Sequence, residues 1–137
     1  VLDFRPIMTL ETRIVFLKRV PAGTGISYGL TYRTSNESVI ATIPCGYGDG
    51  YSRLLSGKAK VLVNGALYPL AGRVCMDQSM IDLGKESGAK MFDRVVLFGP
   101  EEGAPTAEDI ADIMGTIPYE VTCNINKRVP RVYTDNR

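Results

Sequence analysis

The sequence predicts a mainly β protein, an antiparallel sandwich or barrel, and three observations carry that expectation. Apolar runs of four to seven residues recur along most of the chain, each closed by turn residues. Those runs are rich in Val, Ile, Thr and Tyr, which fit a pleated surface better than a helix. A helical apolar period appears clearly in a single segment, residues 106–115.

The elements follow in order. In residues 7–20, Met8, Leu10, Thr12, Ile14 and Phe16 fall on one side and Thr9, Glu11 and Arg13 on the other, so this run reads as a strand. Pro21-Ala22-Gly23-Thr24-Gly25 is a turn by composition. Ile26-Ser27-Tyr28-Gly29-Leu30-Thr31-Tyr32 reads as a second strand or its end. After a polar break at residues 34–38, Val39-Ile40-Ala41-Thr42-Ile43 reads as a buried strand stopped by Pro44. A glycine-rich loop follows over residues 45–53. Residues 60–63 and 66–70 flank Asn64-Gly65, the strongest short hairpin signal, because a two-residue type I′ turn needs φ > 0 twice. A second loop over residues 71–78 precedes strands at 79–83 and 94–98, the latter stopped by Gly99-Pro100. Thr106 suits a helix N-cap, and Glu108 and Asp109 sit where the helix dipole favours acids. Ala107, Ile110, Ala111 and Met114 make one apolar stripe, and Gly115 ends it. Pro118 suits the first position of a second short helix. Residues 129–133 read as a last strand and 134–137 as a frayed end. No repeat or linker interrupts the chain, so residues 1–137 are read as one domain.

Composition narrows the function classes. With 23% charged residues and a net charge of +1, nothing draws the chain to nucleic acid or an anionic membrane. No apolar run is long enough to span a bilayer, and no signal-peptide pattern opens the sequence. Cys45, Cys75 and Cys123 are odd in number and lack metal-ligand spacing, so neither a disulfide framework nor a metal site is expected, and a reducing cytoplasm fits. Histidine is absent, so proton chemistry falls to Tyr, Lys, Asp, Glu or Cys. The chain opens without methionine inside a charged and apolar segment, as expected of a piece of a longer protein.

Four stretches could carry chemistry. Tyr28 precedes Gly29, which leaves a phenol on bare backbone able to approach a ligand and act as general acid or base; a packing role competes with this. Gly46, Gly48 and Gly50 lack the third-glycine spacing and lysine of phosphate loops, so they read as a turn-rich connection, yet Tyr47, Tyr51 and Arg53 on it suit the rim of a polar cleft. Residues 73–78 read either as a strand with Val74 and Met76 inward, or as a loop offering a backbone N–H at Met76 with Arg73 and Asp77 beside it. Cys75 has no evident activator. Tyr119 opens the second helix, where a phenol can donate to an anion, or pack its ring.

Five motifs then occur in one order. They are Ser27-Tyr28-Gly29-x-Thr31-Tyr32, Gly46-Tyr47-x-Asp49-Gly50-Tyr51-x-Arg53, Gly72-Arg73-Val74-Cys75-Met76-Asp77-Gln78, Tyr119-Glu120-Val121-x-Cys123 and Arg128-Val129-Pro130-Arg131. Together, from about residue 6 to 133, they resemble the C-terminal β-domain of bacterial alanine racemases, which are pyridoxal-phosphate enzymes. The resemblance implies a Greek-key-like β-barrel with one or two short helices. It also implies an N-terminal (β/α)₈ barrel, absent here, that holds the cofactor on a lysine. The assembly would be a head-to-tail homodimer interconverting L- and D-alanine for peptidoglycan synthesis.

By the same resemblance, Tyr28 is the second catalytic base, acting across the dimer on the substrate face opposite the cofactor lysine. The Met76 N–H meets the substrate carboxylate, with Asp77 next to it, and Tyr119 donates to the cofactor phosphate. Tyr47, Arg53, Arg73 and Ile117 line the channel into the site. A free phenol titrates near about pH 10, so a basic tyrosine needs a nearby cation, expected from Arg131 or from the missing barrel. Lys18, Lys58, Lys60, Lys85, Lys90 and Lys127 match no cofactor-holding position, so the chain alone is expected neither to bind pyridoxal phosphate tightly nor to racemise alanine. The alternatives are a serine racemase of the same family, since a small pocket rejects an added hydroxyl weakly, or a stand-alone β-barrel module using Tyr47, Tyr51 and Arg53 to bind a polar ligand or partner.

Overall fold

The computed structural model describes residues 2–135. In chain order its strands are β1 (Leu10–Arg13), β2 (Phe16–Val20), β3 (Gly25–Ile26), β4 (Tyr32–Arg33), β5 (Ser38–Ile43), β6 (Lys60–Val63), β7 (Ala66–Pro69), β8 (Ser79–Asp82) and β9 (Arg94–Phe98). Two helices follow, α1 (Ala107–Met114) and α2 (Pro118–Cys123). None of the described helices is long and apolar enough to cross a membrane.

The antiparallel pairings run round a ring. One sheet has the order β1-β9-β6-β7 and the other β2-β5-β8. They join first through the chain itself. Ile14 donates its N–H to the Asp93 carbonyl at 3.0 Å, while Val15 donates to Thr42 at 2.9 Å, so one continuous strand leaves the first sheet and enters the second. The run expected as a single strand over 7–20 is therefore two, bent at Ile14-Val15. The opposite seam is the bridge Leu70–Ile81. Strands β6, β7 and β8 are consecutive neighbours, and β9 returns by a longer connection to lie beside β6, which is the 4-1-2-3 order of a Greek key.

Apolar side chains fill the ring: Ile14, Ile43, Val61, Leu70, Ile81 and Leu97 are among those fully buried. Each such side chain contributes roughly 1.5–3 kcal/mol by leaving water. Strand β5 reads as continuously apolar because both its faces are covered. Ala41 and Ile43 point into the barrel, whereas Ile40 packs outside it with Val20, Ile26 and Ala71. That outer cluster fastens the β3–β4 ribbon, and with it the Tyr28 segment, to the barrel wall.

Asn64 (φ 48°) and Gly65 (φ 80°) make the expected turn between β6 and β7. Helix α1 has a full capping box, Thr106 Oγ1 accepting the Asp109 N–H and Asp109 accepting the Thr106 N–H, and Gly115 ends it at φ 73°. Two expectations fail. Residues 26–32 are not a strand throughout, since Tyr28–Leu30 form a 3₁₀ turn between β3 and β4. Residues 129–133 pair with no strand: Pro130 has no N–H, and the segment is tied down by side chain instead. Of the expected frayed end, Asn136 and Arg137 lie outside the described residues, as does Val1.

Candidate functional site

The Tyr28 turn is strained and firmly held. Ser27 sits at φ 63°, ψ −176°, a region that is nearly glycine-only, and Gly29 and Leu30 also have positive φ. For Ser27 and Leu30 such conformations cost on the order of 1–3 kcal/mol each and persist only where the surroundings impose them, whereas glycine adopts positive φ freely. Here Ser27 Oγ donates to the Arg73 carbonyl at 2.7 Å, and the Leu30 N–H returns to the Ser27 carbonyl at 3.1 Å. Gly72 lets the two segments meet, since a Cβ there would lie 2.6 Å from that of Ser27. The result is a phenol thrown outward: Tyr28 is 77% exposed.

Arg73 brings a cation to the residue that follows Tyr28. A Cβ on Gly29 would sit 3.4 Å from Arg73 Nη1, so the guanidinium lies against the bare backbone next to Tyr28. The expected Arg131 is committed elsewhere. Its Nη1 donates to the Asn126 and Val129 carbonyls and its Nη2 to that of Ile125, at 2.7–2.8 Å, which closes the chain just after α2. Sequence reading offered Arg131 or a group from the missing barrel; a contact between residues 29 and 73 has no sequence signal.

Residues 73–78 are a loop, not a strand, and Val74 is buried while Met76 is 54% exposed. The loop closes through the Cys75 N–H on the Gln78 carbonyl at 3.0 Å. Its orientation is set by the glycine loop. The Cys75 carbonyl accepts the Tyr47 N–H at 3.0 Å and the Met76 carbonyl accepts the Gly48 N–H at 2.8 Å. In a trans peptide the C=O and N–H point in opposite directions, and no described peptide is cis. The N–H groups of Met76 and Asp77 therefore face away from the glycine loop. Neither meets a protein acceptor among the described residues. Two adjacent free donors on exposed backbone are suited to a carboxylate.

Glycine is required where these loops touch. A Cβ on Gly46 would collide with the Cys75 and Met76 carbonyls, and one on Gly50 (φ 97°) with the Asn124 carbonyl. Arg128 completes the knot, its Nε 2.8 Å from Asp49 Oδ1 and its Nη2 2.7 Å from Asp77 Oδ1. These bonds to Asp49, then Asp77, raise the guanidinium pKa above its usual value. Arg128 and Asp49 were not singled out as site residues in sequence, where 79 positions separate them.

The other expected residues divide. Tyr47, Arg53 and Ile117 are exposed, at the first residues of the 47–49 and 53–55 turns and at the N-cap of α2. Arg53 is linked to the Arg73 loop by Ser56, whose hydroxyl donates to the Arg53 carbonyl at 2.6 Å and accepts the Val74 N–H at 2.9 Å. Arg73 with Thr31, Tyr32, Ser56, Gly57 and Gly72 lines a cleft of about 360 Å³. Tyr119, 79% exposed, borders a different hollow of about 230 Å³ with Pro6, Ile7 and Phe98. So Tyr28, Tyr47, Arg73, Met76 and Asp77 are joined by one hydrogen-bonded framework, and Tyr119 stands apart from it.

Tyr51 does not belong to the rim. After Gly50 the chain turns inward, leaving Tyr51 1% exposed in the core with its hydroxyl lacking a protein partner. Burial drives the Tyr51 phenol far above its ordinary value and pushes the Cys45 thiol up to about 12. Tyr32 is also pushed up to about 12, by burial and then by its hydrogen bond to Asp82. All three groups keep their protons longer folded than unfolded. Their contribution is full below the unfolded values, 9.0 for the thiol and 10.0 for the phenols, and is lost as pH rises toward the folded ones. Thermal unfolding from pH 8 to 11 is thus expected to show Tm falling increasingly steeply above about pH 9. A level Tm across that range would contradict the buried ionisable set. At pH 8, iodoacetamide should label exposed Cys123 first and buried Cys45 only on unfolding.

The chain is a Greek-key β-barrel domain that presents an exposed phenol and two free backbone N–H groups on one hydrogen-bonded framework. The family model described as "Alanine racemase, C-terminal domain" matches residues 7–133. The chain belongs to that family. It is similar to the alanine racemase of Clostridium novyi (strain NT), 52% identical over 137 residues, covering 98% of this chain and 35% of the relative. Alanine racemase 2 of Caldanaerobacter subterraneus subsp. tengcongensis is 53% identical over 134 residues, 97% of this chain and 34% of the relative. Among solved structures, the alanine racemase of Streptomyces coelicolor A3(2) matches with a TM-score of 0.91 at 45% identity, over 96% of this chain and 34% of that one. The Clostridium difficile 630 alanine racemase in complex with cycloserine also matches at 0.91, with 47% identity, over 98% and 35%. The chain thus spans about a third of the length of its relatives.

Proposed function

We propose that residues 1–137 are the C-terminal β-domain of a pyridoxal-phosphate-dependent alanine racemase, completing a site whose other part is an N-terminal (β/α)₈ barrel, within a homodimer. The observation that carries this reading is the pairing of an outward Tyr28 phenol with the free Met76 N–H, in two loops locked together by Ser27, Gly46 and Gly72. Racemisation removes a proton from one face of Cα and returns one on the other, so it needs groups on opposite sides. Tyr28 Oη holds or delivers the proton on one face. The Met76 N–H orients the substrate by its carboxylate, with Asp77 adjoining. Arg73 places a positive charge against the Gly29 backbone, next in the chain to Tyr28. Tyr47, Arg53, Arg73 and Ile117 border the approach.

The residues present fit the cofactor in a supporting role. Tyr119 offers an exposed hydroxyl to a phosphate, but Lys18, Lys58, Lys60, Lys85, Lys90 and Lys127 are all exposed, and none shares a hydrogen bond with the Tyr28 framework among the described residues. When bound, pyridoxal phosphate stabilises negative charge on the substrate Cα. Three free thiols accord with a cytoplasmic setting.

The test is the complete enzyme with L-alanine and L-serine. D-alanine formed at a much higher kcat/KM than D-serine supports the assignment, dominant D-serine formation moves it to serine, and neither product removes it. The chain alone is expected to retain no stoichiometric pyridoxal phosphate after dialysis, measured by absorbance. Full occupancy would show that one of its own lysines holds the cofactor.

A further inference from the structure

The backbone donors of Met76 and Asp77 sit next to a negative side chain. Asp77 is exposed, and a substrate carboxylate drawn to the Met76 N–H would approach the Asp77 carboxylate on the adjoining residue. Like charges that close oppose binding. Among the described residues one cation faces Asp77: Arg128 Nη2, at 2.7 Å. The same guanidinium spans to Asp49 through Nε at 2.8 Å. Asp49 in turn accepts the Gly46 N–H through its other oxygen at 2.9 Å, and its carbonyl accepts the Asn126 N–H at 2.9 Å. The Asp77 side chain is thereby anchored to the loop whose Tyr47 and Gly48 N–H groups hold the Cys75 and Met76 carbonyls.

We propose that Arg128 is a positioning residue for the substrate carboxylate: it draws the Asp77 carboxylate toward Asp49 and neutralises it, leaving the Met76 N–H open to a second carboxylate. This rests on the reading of Met76 as the carboxylate donor. A planar guanidinium is needed because it bonds two carboxylates at once through different nitrogens, which a lysine ammonium does with far less geometric control. Arg128 touches no reacting atom. Its effect runs through Asp77, so it acts on substrate affinity more than on proton transfer.

The experiment uses the complete enzyme, with wild type, Arg128→Met, Asp77→Asn and the double variant side by side. Arg128→Met is expected to raise both the KM for alanine and the inhibition constant of propionate roughly tenfold, with a smaller change in kcat. Amide hydrogen exchange over residues 75–78 should quicken. Adding Asp77→Asn to Arg128→Met should bring KM and the propionate constant back to within about threefold of Asp77→Asn alone, because no stray charge is left to neutralise. Arg128→Gln carries the same comparison if the methionine variant fails to fold. An unchanged KM, or a raised KM that Asp77→Asn does not correct, overturns the proposal. Wild-type enzyme that racemises nothing overturns the function above instead, and the two failures are read from separate samples.

Discussion

Tyr28→Phe in the complete enzyme is expected to lower kcat for alanine by about 10²–10⁴-fold, the usual contribution of one positioned acid–base group, and to leave KM within about threefold. The substitution deletes one oxygen from a side chain that is 77% exposed and makes no hydrogen bond among the described residues. Stability should therefore stay within about 0.5 kcal/mol of wild type, so the loss is not attributable to unfolding. The backbone features that aim the ring, Ser27 at φ 63° and the Ser27 hydroxyl on the Arg73 carbonyl, do not involve the phenol oxygen. A second readout separates the two faces of the substrate. In D₂O the variant should still exchange the α-proton of one enantiomer, through the group on the opposite face, while inversion nearly stops. Equal loss of exchange from both enantiomers, or normal inversion, would remove Tyr28 from the proposed mechanism.

The barrel was legible because its determinants are local. Asn64-Gly65 demands positive φ at two successive residues, and Thr106 with Asp109 spells a capping box, whatever the rest of the chain does. The apolar run of β5 gave a buried strand, though only its two contact clusters explain why both faces are apolar. What escaped was non-local. The bend at Ile14-Val15 exists because the partners change from Asp93 to Thr42, and those partners are distant in sequence. Tyr28 was singled out, but its turn looked like a strand because Ile26, Tyr28 and Tyr32 all have strand propensity; the strain imposed by the Ser27–Arg73 contact overrides it. Tyr51 shares composition with Tyr47, yet four residues on it is core instead of rim, since Gly50 at φ 97° reverses the chain between them. Arg128, Asp49 and Asp77 were each visible within a motif, and the pairing of the arginine with the two aspartates was not.

Gly50→Ala and Gly46→Ala are expected to be the most destabilising single-methyl additions in the chain, and they separate two kinds of cost. At Gly50 the methyl meets the Asn124 carbonyl while φ is held at 97°, so strain and collision add. A loss of about 3 kcal/mol or more follows. Gly57→Ala is the control. It has φ 67° with nothing within 4 Å of the new Cβ, so it isolates the backbone part, roughly 1 kcal/mol. At Gly46, φ is −151°, which any residue adopts, and the whole cost is collision with the Cys75 and Met76 carbonyls. Backbone carbonyls cannot swing aside as a long side chain can, so the 75–77 segment must shift bodily. That shift turns the Met76 and Asp77 N–H groups, because each shares a rigid peptide plane with the carbonyl being pushed. Gly46→Ala should consequently raise the KM for alanine in the molecules that remain folded, whereas Gly57→Ala should lower Tm alone. The check is a pair of measurements on each variant, calorimetric Tm and KM. A Gly46→Ala enzyme with wild-type values of both would mean that the glycine loop does not set the orientation of the Met76 peptide.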